Sequence, residues 1–424
     1  MLILRDSFIR EKFNKKNEWK NVNEDQYVFS KCNEGELYKK MFPNSHDLEK
    51  FFEYRKDWFE RASKCISGEK PLSVNCELVS TCNLACTMCY TITEKFQNTV
   101  VGAQRMLPWK IVKQIIDEVA ENEIPSISFS WRGESTLYRD QDENGNTVTF
   151  PDVLNYARKK GILEITCLTH GQLIDEKMAE EIVEAKPTWI NFSIDGLEKN
   201  YNKIRTPANK IGKNHNAFNE VVNSIKRLVK FKKLKNSTRP VIRTNTIFPA
   251  VKDDFDEYSK FFMSIGVDMI TVNEIYDVRH HSAPEKLIRK DWYCQYPFQR
   301  LTVSANGILL PCTGAVNEEI NLVLGKIQGS QDKSVKDYNG NIVKNNLDNF
   351  SVMSVWKSKK LENIRFLHKN LRRTEIAPGC KNCHLGQVKE GYQKIPVEWD
   401  EKNLKWKKHS SISSKKRYKD RAFK

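Results

Sequence analysis

Three cysteines, Cys82, Cys86 and Cys89, stand in the order Cys-x3-Cys-x2-Cys a few residues after the first strongly strand-forming run of the chain. A cubane 4Fe-4S cluster normally takes four thiolates, so three ligands in one short loop leave one iron open to a small molecule. Zinc completed by a distant fourth ligand is the competing use of such a triplet. A second set follows much later, with Cys294, then Cys312, then Cys380 and Cys383 as a Cys-x2-Cys pair. Four thiolates close either a cluster with every iron ligated or a tetrahedral zinc site. Cys32, Cys65, Cys76 and Cys167 fall into no ligand spacing.

The elements that must position these residues alternate regularly. Apolar runs at 72–78, 124–131, 162–168, 189–194, 241–247 and 267–272 read as strands, and helical stretches fall at 108–122, 151–160, 175–185, 217–233 and 253–265. Pro108 and Pro151 suit a first helical turn, and Asp175 and Asp253 suit N-caps. Six strands with helices between them predict parallel βα units, either an open doubly wound sheet or an incomplete barrel. In such folds functional groups gather on the loops after the strands. The cysteine loop follows the first run, Arg132-Gly133-Glu134 the second, Thr169-His170-Gly171 the third and Asp195-Gly196 the fourth, so all four clusters open on one mouth.

On these residues the chain resembles the radical S-adenosylmethionine enzymes over most of its length. The resemblance implies an α/β fold, a partial (β/α)6 TIM-like barrel with a small cysteine-ligated SPASM or twitch-like domain after it. It implies that a 4Fe-4S cluster on Cys82, Cys86 and Cys89 chelates S-adenosylmethionine. Ser130-Trp131-Arg132-Gly133-Glu134-Ser135 is similar to the Gly-Gly-Glu element, in which Gly133 and Glu134 serve the methionine ammonium; Arg132 stands where the first glycine is usual. Ser193-Ile194-Asp195-Gly196 resembles the strand-four element that meets the ribose and carboxylate, and Arg205 an arginine often found there. Tyr90, next to the third cysteine, joins the cofactor-binding set. Met88 occupies a position that is commonly aromatic, and His170 stands where asparagine is usual, read here as a turn or supporting residue.

The second set resembles the auxiliary-cluster cysteines of SPASM and twitch extensions, which implies one auxiliary 4Fe-4S cluster on Cys294, Cys312, Cys380 and Cys383. Four-thiolate zinc is the competing reading. Around these cysteines, 301–303 and 307–310 read as a hairpin. The expected organisation is a helical extension over 1–70, the barrel core over 71–285, the auxiliary-cluster domain over 286–395 and a basic tail over 396–424.

The 424 residues suffice for two cores, and 39% hydrophobic with 29% charged residues is the composition of a globular protein. No run of about 18 apolar residues is present to span a bilayer, and the amino terminus lacks a secretory h-region. A cytoplasmic protein with reduced thiols is expected. The net charge of +16 is concentrated: from Glu401 to Lys424 ten basic residues stand against two acidic ones, half of the whole surplus. Charge runs at chain ends are commonly solvated, so this tail reads first as a frayed end and only then as a contact for RNA, lipid or an acidic partner.

The expected function is reductive cleavage of S-adenosylmethionine to a 5′-deoxyadenosyl radical that abstracts hydrogen from a substrate, a step that requires no catalytic acid or base. Oxidation or epimerisation of a carbohydrate-like or small-molecule substrate leads. A maturase of a ribosomally made peptide comes second, with the helical look of 1–70 against it. An iron–sulfur or zinc nucleic-acid-binding protein comes last. The partners implied are a small-molecule or peptide substrate and an electron donor such as flavodoxin or ferredoxin. Cys167 is a candidate hydrogen donor, with a buried structural cysteine as the stronger reading.

Overall fold

The protein is described by a computed structural model over residues 2–4, 12–13, 26–93, 96, 106–208, 216–273, 275, 288–330, 334–336, 341–344, 346–383, 385, 399–400 and 402–406. One twelve-stranded sheet runs through it. In chain order its strands are β1 Leu2–Leu4, β2 Gln26–Ser30, β3 Ser73–Cys76, β4 Ser126–Phe129, β5 Glu164–Thr169 and β6 Trp189–Ser193. They continue with β7 Val241–Ile247, β8 Met269–Asn273, β9 Arg300–Val303, β10 Ile308–Leu310, β11 Gly325–Ile327 and β12 Asn349–Phe350. Strands β3 to β8 are consecutive neighbours and all parallel, the arrangement of a partial (β/α)6 barrel. β9 extends the sheet on the other side of β3, and β10, β11 and β12 follow it in order.

The main helices are α1 Glu34–Met41, α2 Ser45–Lys64, α3 Trp109–Glu121, α4 Phe150–Lys159, α5 Glu176–Ala185, α6 Glu198–Ile204, α7 Ala217–Leu234, α8 Phe255–Ser264, α9 Val352–Trp356 and α10 Lys359–Lys369. Local chemistry sets their starts. Asn44 accepts from the His46 and Asp47 amides, Asp175 from Met178, and Thr149 with Asp152 closes a capping box ahead of α4. Asp253 does not cap α8 as its sequence suggests. A short helix, Phe248–Val251, arrives first and runs into a turn that holds Asp253, so the N-cap position falls to Asp254, whose side chain makes no cap bond.

Residues 1–70 are not helical throughout. β2 pairs antiparallel with β8, and β1 with β2, so the amino-terminal segment covers an edge of the parallel sheet. An open edge offers a row of unpaired amides and carbonyls, and the strand-prone sequence around Val28-Phe29 satisfies them. α1 and α2 pack below the sheet.

Register decides which face each strand residue takes. Ile127, Phe129, Ile165, Phe192, Ile242 and Ile270 belong to one apolar core with the outer helices α3, α4, α5, α7 and α8. The alternate residues face inward and are mostly polar: Asn75 is paired with Ser128, Ser128 with Thr166, Asn191 with Arg243, and Asn245 with Thr271. The N-terminal end of this inner face is plugged, because Leu72, Val241 and Met269 pack against Phe51, Phe52, Tyr54 and Trp58. Burying each such side chain contributes roughly 1.5–3 kcal/mol. Glu164 at this floor accepts from Tyr54 Oη and from Trp189 Nε1, both at 3.3 Å. Among the described residues the N-terminal end of the inner face is thus filled, and the strand ends that carry the polar clusters are the C-terminal ones.

Among the described residues no helix is long and apolar enough to cross a membrane. The beginning of the basic tail is not frayed. Trp399–Asp400 and Lys405–Trp406 form a hairpin, Leu404 packs with Ile204, Ala250, Ile275 and Met88, and its carbonyl accepts from Thr87 Oγ1 at 2.7 Å. Lys407-Lys408 and Lys415-Lys416-Arg417 lie outside the described residues.

Candidate active site and metal centres

The loop of Cys82, Cys86 and Cys89 leaves the C-terminal end of β3 and is pinned by the segment after α6. Ala85 N donates to Thr206 O at 2.7 Å, Thr87 N to Ile204 O at 2.9 Å and Ala208 N to Asn83 O at 2.9 Å. Donors converge on the sulfurs: Leu84 N–H lies 3.4 Å from Cys82 Sγ, Thr91 Oγ1 lies 2.9 Å from Cys89 Sγ, and Arg205 Nη1 lies 3.8 Å from Cys86 Sγ. Hydrogen-bond donors placed at the sulfurs are among the features that set the reduction potential of a cluster held there. By their chemistry, three free cysteines on one loop suit a cluster with three protein ligands.

Gly133 and Glu134 meet this loop from β4. Glu134 N donates to Thr81 O at 2.9 Å, and a Cβ on Gly133 would sit 2.0 Å from Val79 O. Only glycine lets the two backbones approach so closely. Glu134 is buried, and its Oε1 accepts from Thr136 N at 3.1 Å, Thr136 Oγ1 at 2.7 Å and Thr169 Oγ1 at 2.6 Å. Its Oε2 accepts from His170 N at 2.8 Å, which leaves that oxygen room for one further donor.

His170 supports the site from behind, with Nε2 2.7 Å from Asn83 Oδ1 and 3.4 Å from Glu134 Oε2. Burial lowers its pKa below the ordinary value; Glu134 opposes that and Arg205 adds to it. The folded protein therefore keeps His170 neutral, whereas the unfolded chain takes up a proton as pH falls through about 6.5. Its contribution to stability is complete above that pH and is lost as pH falls toward the depressed folded value. Thermal unfolding between about pH 7.5 and about pH 5 shows a midpoint that drops on the acid side, and His170→Asn flattens that slope. An equal slope in the variant would contradict this origin.

Asp195, at the end of β6, is gripped by the Arg205 fork. Nε and Nη2 each lie 2.6 Å from Oδ2, and Ile247 N donates to Oδ1 at 3.0 Å. Ser193 is buried on the inner face beside Asn245, its partner on β7. Tyr90 is partly buried and edge-on to Phe96, with centroids 5.6 Å apart. Met88 packs on the Ile204 and Leu404 cluster. Cys167 belongs to the core under the helices, on the face away from the barrel interior.

The second set gathers elsewhere. Cys294 precedes β9, Cys312 follows β10, and Cys380 lies in the short helix Pro378–Lys381 with Cys383 just beyond it. Burial raises the Cys294 and Cys380 thiols well above their ordinary range and pushes Cys312 up to about 12, and each is raised further by other cysteines of the set. Cys294 is buried and Cys312, Cys380 and Cys383 are partly buried, and sulfurs that raise one another in this way suit a metal-bearing group that replaces their protons. His368 Nδ1 accepts from Cys294 N at 3.2 Å, and the Arg373 guanidinium holds the Cys380 carbonyl.

Sequence reasoning missed Glu77 and Glu318. Glu77 directly follows β3 and is buried, and Arg132 Nε and Nη2 meet its two oxygens at 2.9 and 2.6 Å. Glu318 takes the same Arg132 Nη2 at 2.7 Å. For Glu77 the signal available in the sequence is an acid at a strand end, the same signal that drew attention to Glu134; Glu318 lies in the turns between β10 and β11 and carries no such signal.

A family model for the radical SAM superfamily matches residues 77–262, and one for an iron–sulfur cluster-binding domain, SPASM, matches 294–384. The chain belongs to the radical SAM superfamily and carries a SPASM domain. Its cofactors are accordingly S-adenosylmethionine and 4Fe-4S clusters, one of them auxiliary. The chain is 22% identical over 345 residues to the tungsten-containing aldehyde ferredoxin oxidoreductase cofactor-modifying protein of Pyrococcus furiosus, covering 73% of this chain and 86% of that protein. It is 31% identical over 139 residues to the Fe-coproporphyrin III synthase of Methanosarcina barkeri, covering 33% of this chain and 31% of that protein. Among solved structures it is similar to anSMEcpe with bound AdoMet, with 15% identity, a TM-score of 0.49, and coverage of 82% of this chain and 95% of that one.

Proposed function

We propose that this radical SAM enzyme oxidises a small, polar, carbohydrate-like substrate held on the inner face of the barrel. Cys82, Cys86 and Cys89 ligate the cluster that binds S-adenosylmethionine, Gly133 and Glu134 take the methionine ammonium, and Ser193, Asp195, Arg205 and Tyr90 contact the rest of the cofactor. When bound, these groups supply one-electron chemistry that ends in removal of a hydrogen atom from an unactivated carbon. The chain's own task is to hold the partners in line and keep water out, and a barrel closed below by α1 and α2 suits that task.

The observation that carries the substrate class is the polarity of the inner face. Asn75, Ser128, Thr166, Asn191, Asn245 and Thr271 offer neutral donors and acceptors, and Arg243 adds one cation on the same face. Asn75 Nδ2 and Asn191 Oδ1 are buried without a hydrogen-bond partner in the protein. Buried amide atoms are normally paired, and a hydroxylated ligand supplies such pairing. Oxidation is favoured over epimerisation because Cys167 lies on the helix-facing side, and an auxiliary cluster offers an electron acceptor instead. The helical look of 1–70 no longer weighs against a peptide substrate, since β1 and β2 lie there, but nothing on the inner face favours one.

The test is anaerobic 5′-deoxyadenosine formation in the presence of hydroxylated metabolites or of short peptides. Stimulation by the former is expected, and Asn191→Leu raises the concentration for half-maximal stimulation about tenfold through one or two lost hydrogen bonds. Stimulation by peptides alone would refute this substrate class.

A further inference from the structure

Arg132 occupies the place of a motif glycine, and its side chain turns away from the mouth into a dry interface. Its side chain is 0% exposed, that of Glu77 1% and that of Glu318 3%. Besides the two carboxylates, Nη1 donates to Val316 O at 3.2 Å, and the backbone amide of Arg132 donates to Glu77 Oε1 at 3.0 Å. The neighbouring Trp131 Nε1 donates to Thr313 O at 2.9 Å, and the guanidinium lies 3.9 Å from the Trp131 ring centroid. Thr313, Val316 and Glu318 all belong to the segment that leaves Cys312. The next residue, Glu319, accepts from Gly379 N at 3.0 Å, directly before Cys380. Glu77 also accepts from Ala305 N at 2.9 Å, in the β9–β10 turn.

We propose that Arg132 is a positioning residue that locks the loop bearing Cys312 to the loop after β4 that bears Gly133 and Glu134, so that the auxiliary-cluster site and the S-adenosylmethionine site move as one unit. The proposal rests on the ligand assignments above. Two buried carboxylates and one guanidinium are poor stabilisers, because apolar residues of equal volume generally serve a core as well or better. A fork that reads two carboxylates at fixed angles fixes placement instead. Glycine at this position would leave Glu77 and Glu318 buried together without a cation, so the departure from the motif and the two acids form one device.

The test uses the full chain in two backgrounds. With Cys82, Cys86 and Cys89 replaced by alanine, the reduced auxiliary cluster is observed alone by electron paramagnetic resonance. Arg132→Lys, whose ammonium cannot fork, and Glu318→Gln are expected to keep the iron content while changing the line shape and the reduction midpoint of that cluster. In the background with all cysteines, S-adenosylmethionine is expected to perturb the auxiliary signal of the wild type and to leave that of both variants unmoved. Glu77→Gln with Arg132→Met and Glu318→Gln, a neutral triad, supplies a version that folds without a stranded charge. Folded, iron-replete variants with wild-type signals and a retained response to S-adenosylmethionine would overturn the lock. Absence of any cluster signal from the second site in the wild type would overturn the ligand assignment itself, and the lock with it.

Discussion

Cys82→Ala, Cys86→Ala and Cys89→Ala each reduce 5′-deoxyadenosine formation from S-adenosylmethionine by far more than a hundredfold, while the protein stays folded and keeps its auxiliary cluster. Losing a group that merely supports a metal ligand costs about 10–100-fold in affinity or activity, so losing one of the three proposed ligands costs more. The fold survives because the loop is pinned by backbone bonds to Ile204, Thr206 and Ala208 and not by the sulfurs alone. Liquid chromatography with mass detection of 5′-deoxyadenosine, after anaerobic reconstitution and dithionite reduction, reads the effect. Wild-type turnover in a variant with a single remaining cluster would mean that the second cysteine set starts the reaction.

Gly133→Ala is expected to be the most damaging glycine-to-alanine change among the described glycines. Its Cβ would lie 2.0 Å from Val79 O and 2.7 Å from both Val79 C and Thr81 O, all backbone atoms. Neither carbonyl can retreat cheaply, because Val79 bridges Met106 and Thr81 O accepts the Glu134 amide. Overpacking against movable side chains costs about 1–3 kcal/mol, and rigid backbone puts this case at the upper end or beyond. Gly145→Ala is the comparison: its φ is +81° with open space around the missing Cβ, so only the backbone preference is lost, on the order of 1 kcal/mol. Denaturant titration of the two variants separates close approach from conformational freedom. Equal losses would place the cost in conformation.

Much of the barrel was legible because its signals are local. The apolar runs that precede Glu77, Arg132, His170 and Asp195 each became a parallel strand in chain order, and the helices between them start where a cap or a proline allows. The polar clusters at the strand ends could be named from the sequence for the same reason, since a βα unit sends its loops to one side. The amino-terminal strands escaped notice because β2 is stabilised by pairing with β8, from the far end of the core, and not by any period of its own.

By itself, the sequence determined the two sets of spaced cysteines proposed as ligands and the order of the barrel's strands and helices, since cysteine spacing and hydrophobic period are properties of a few neighbouring residues. Tertiary structure decided what Arg132 does. Its two carboxylate partners lie 55 and 186 residues away, and pairing of buried charges depends on which surfaces meet after folding. The tertiary fold also brought alternating polar residues of the strands onto one inner face with a filled floor, because a side chain's surroundings follow from sheet register and from the helices that plug the floor.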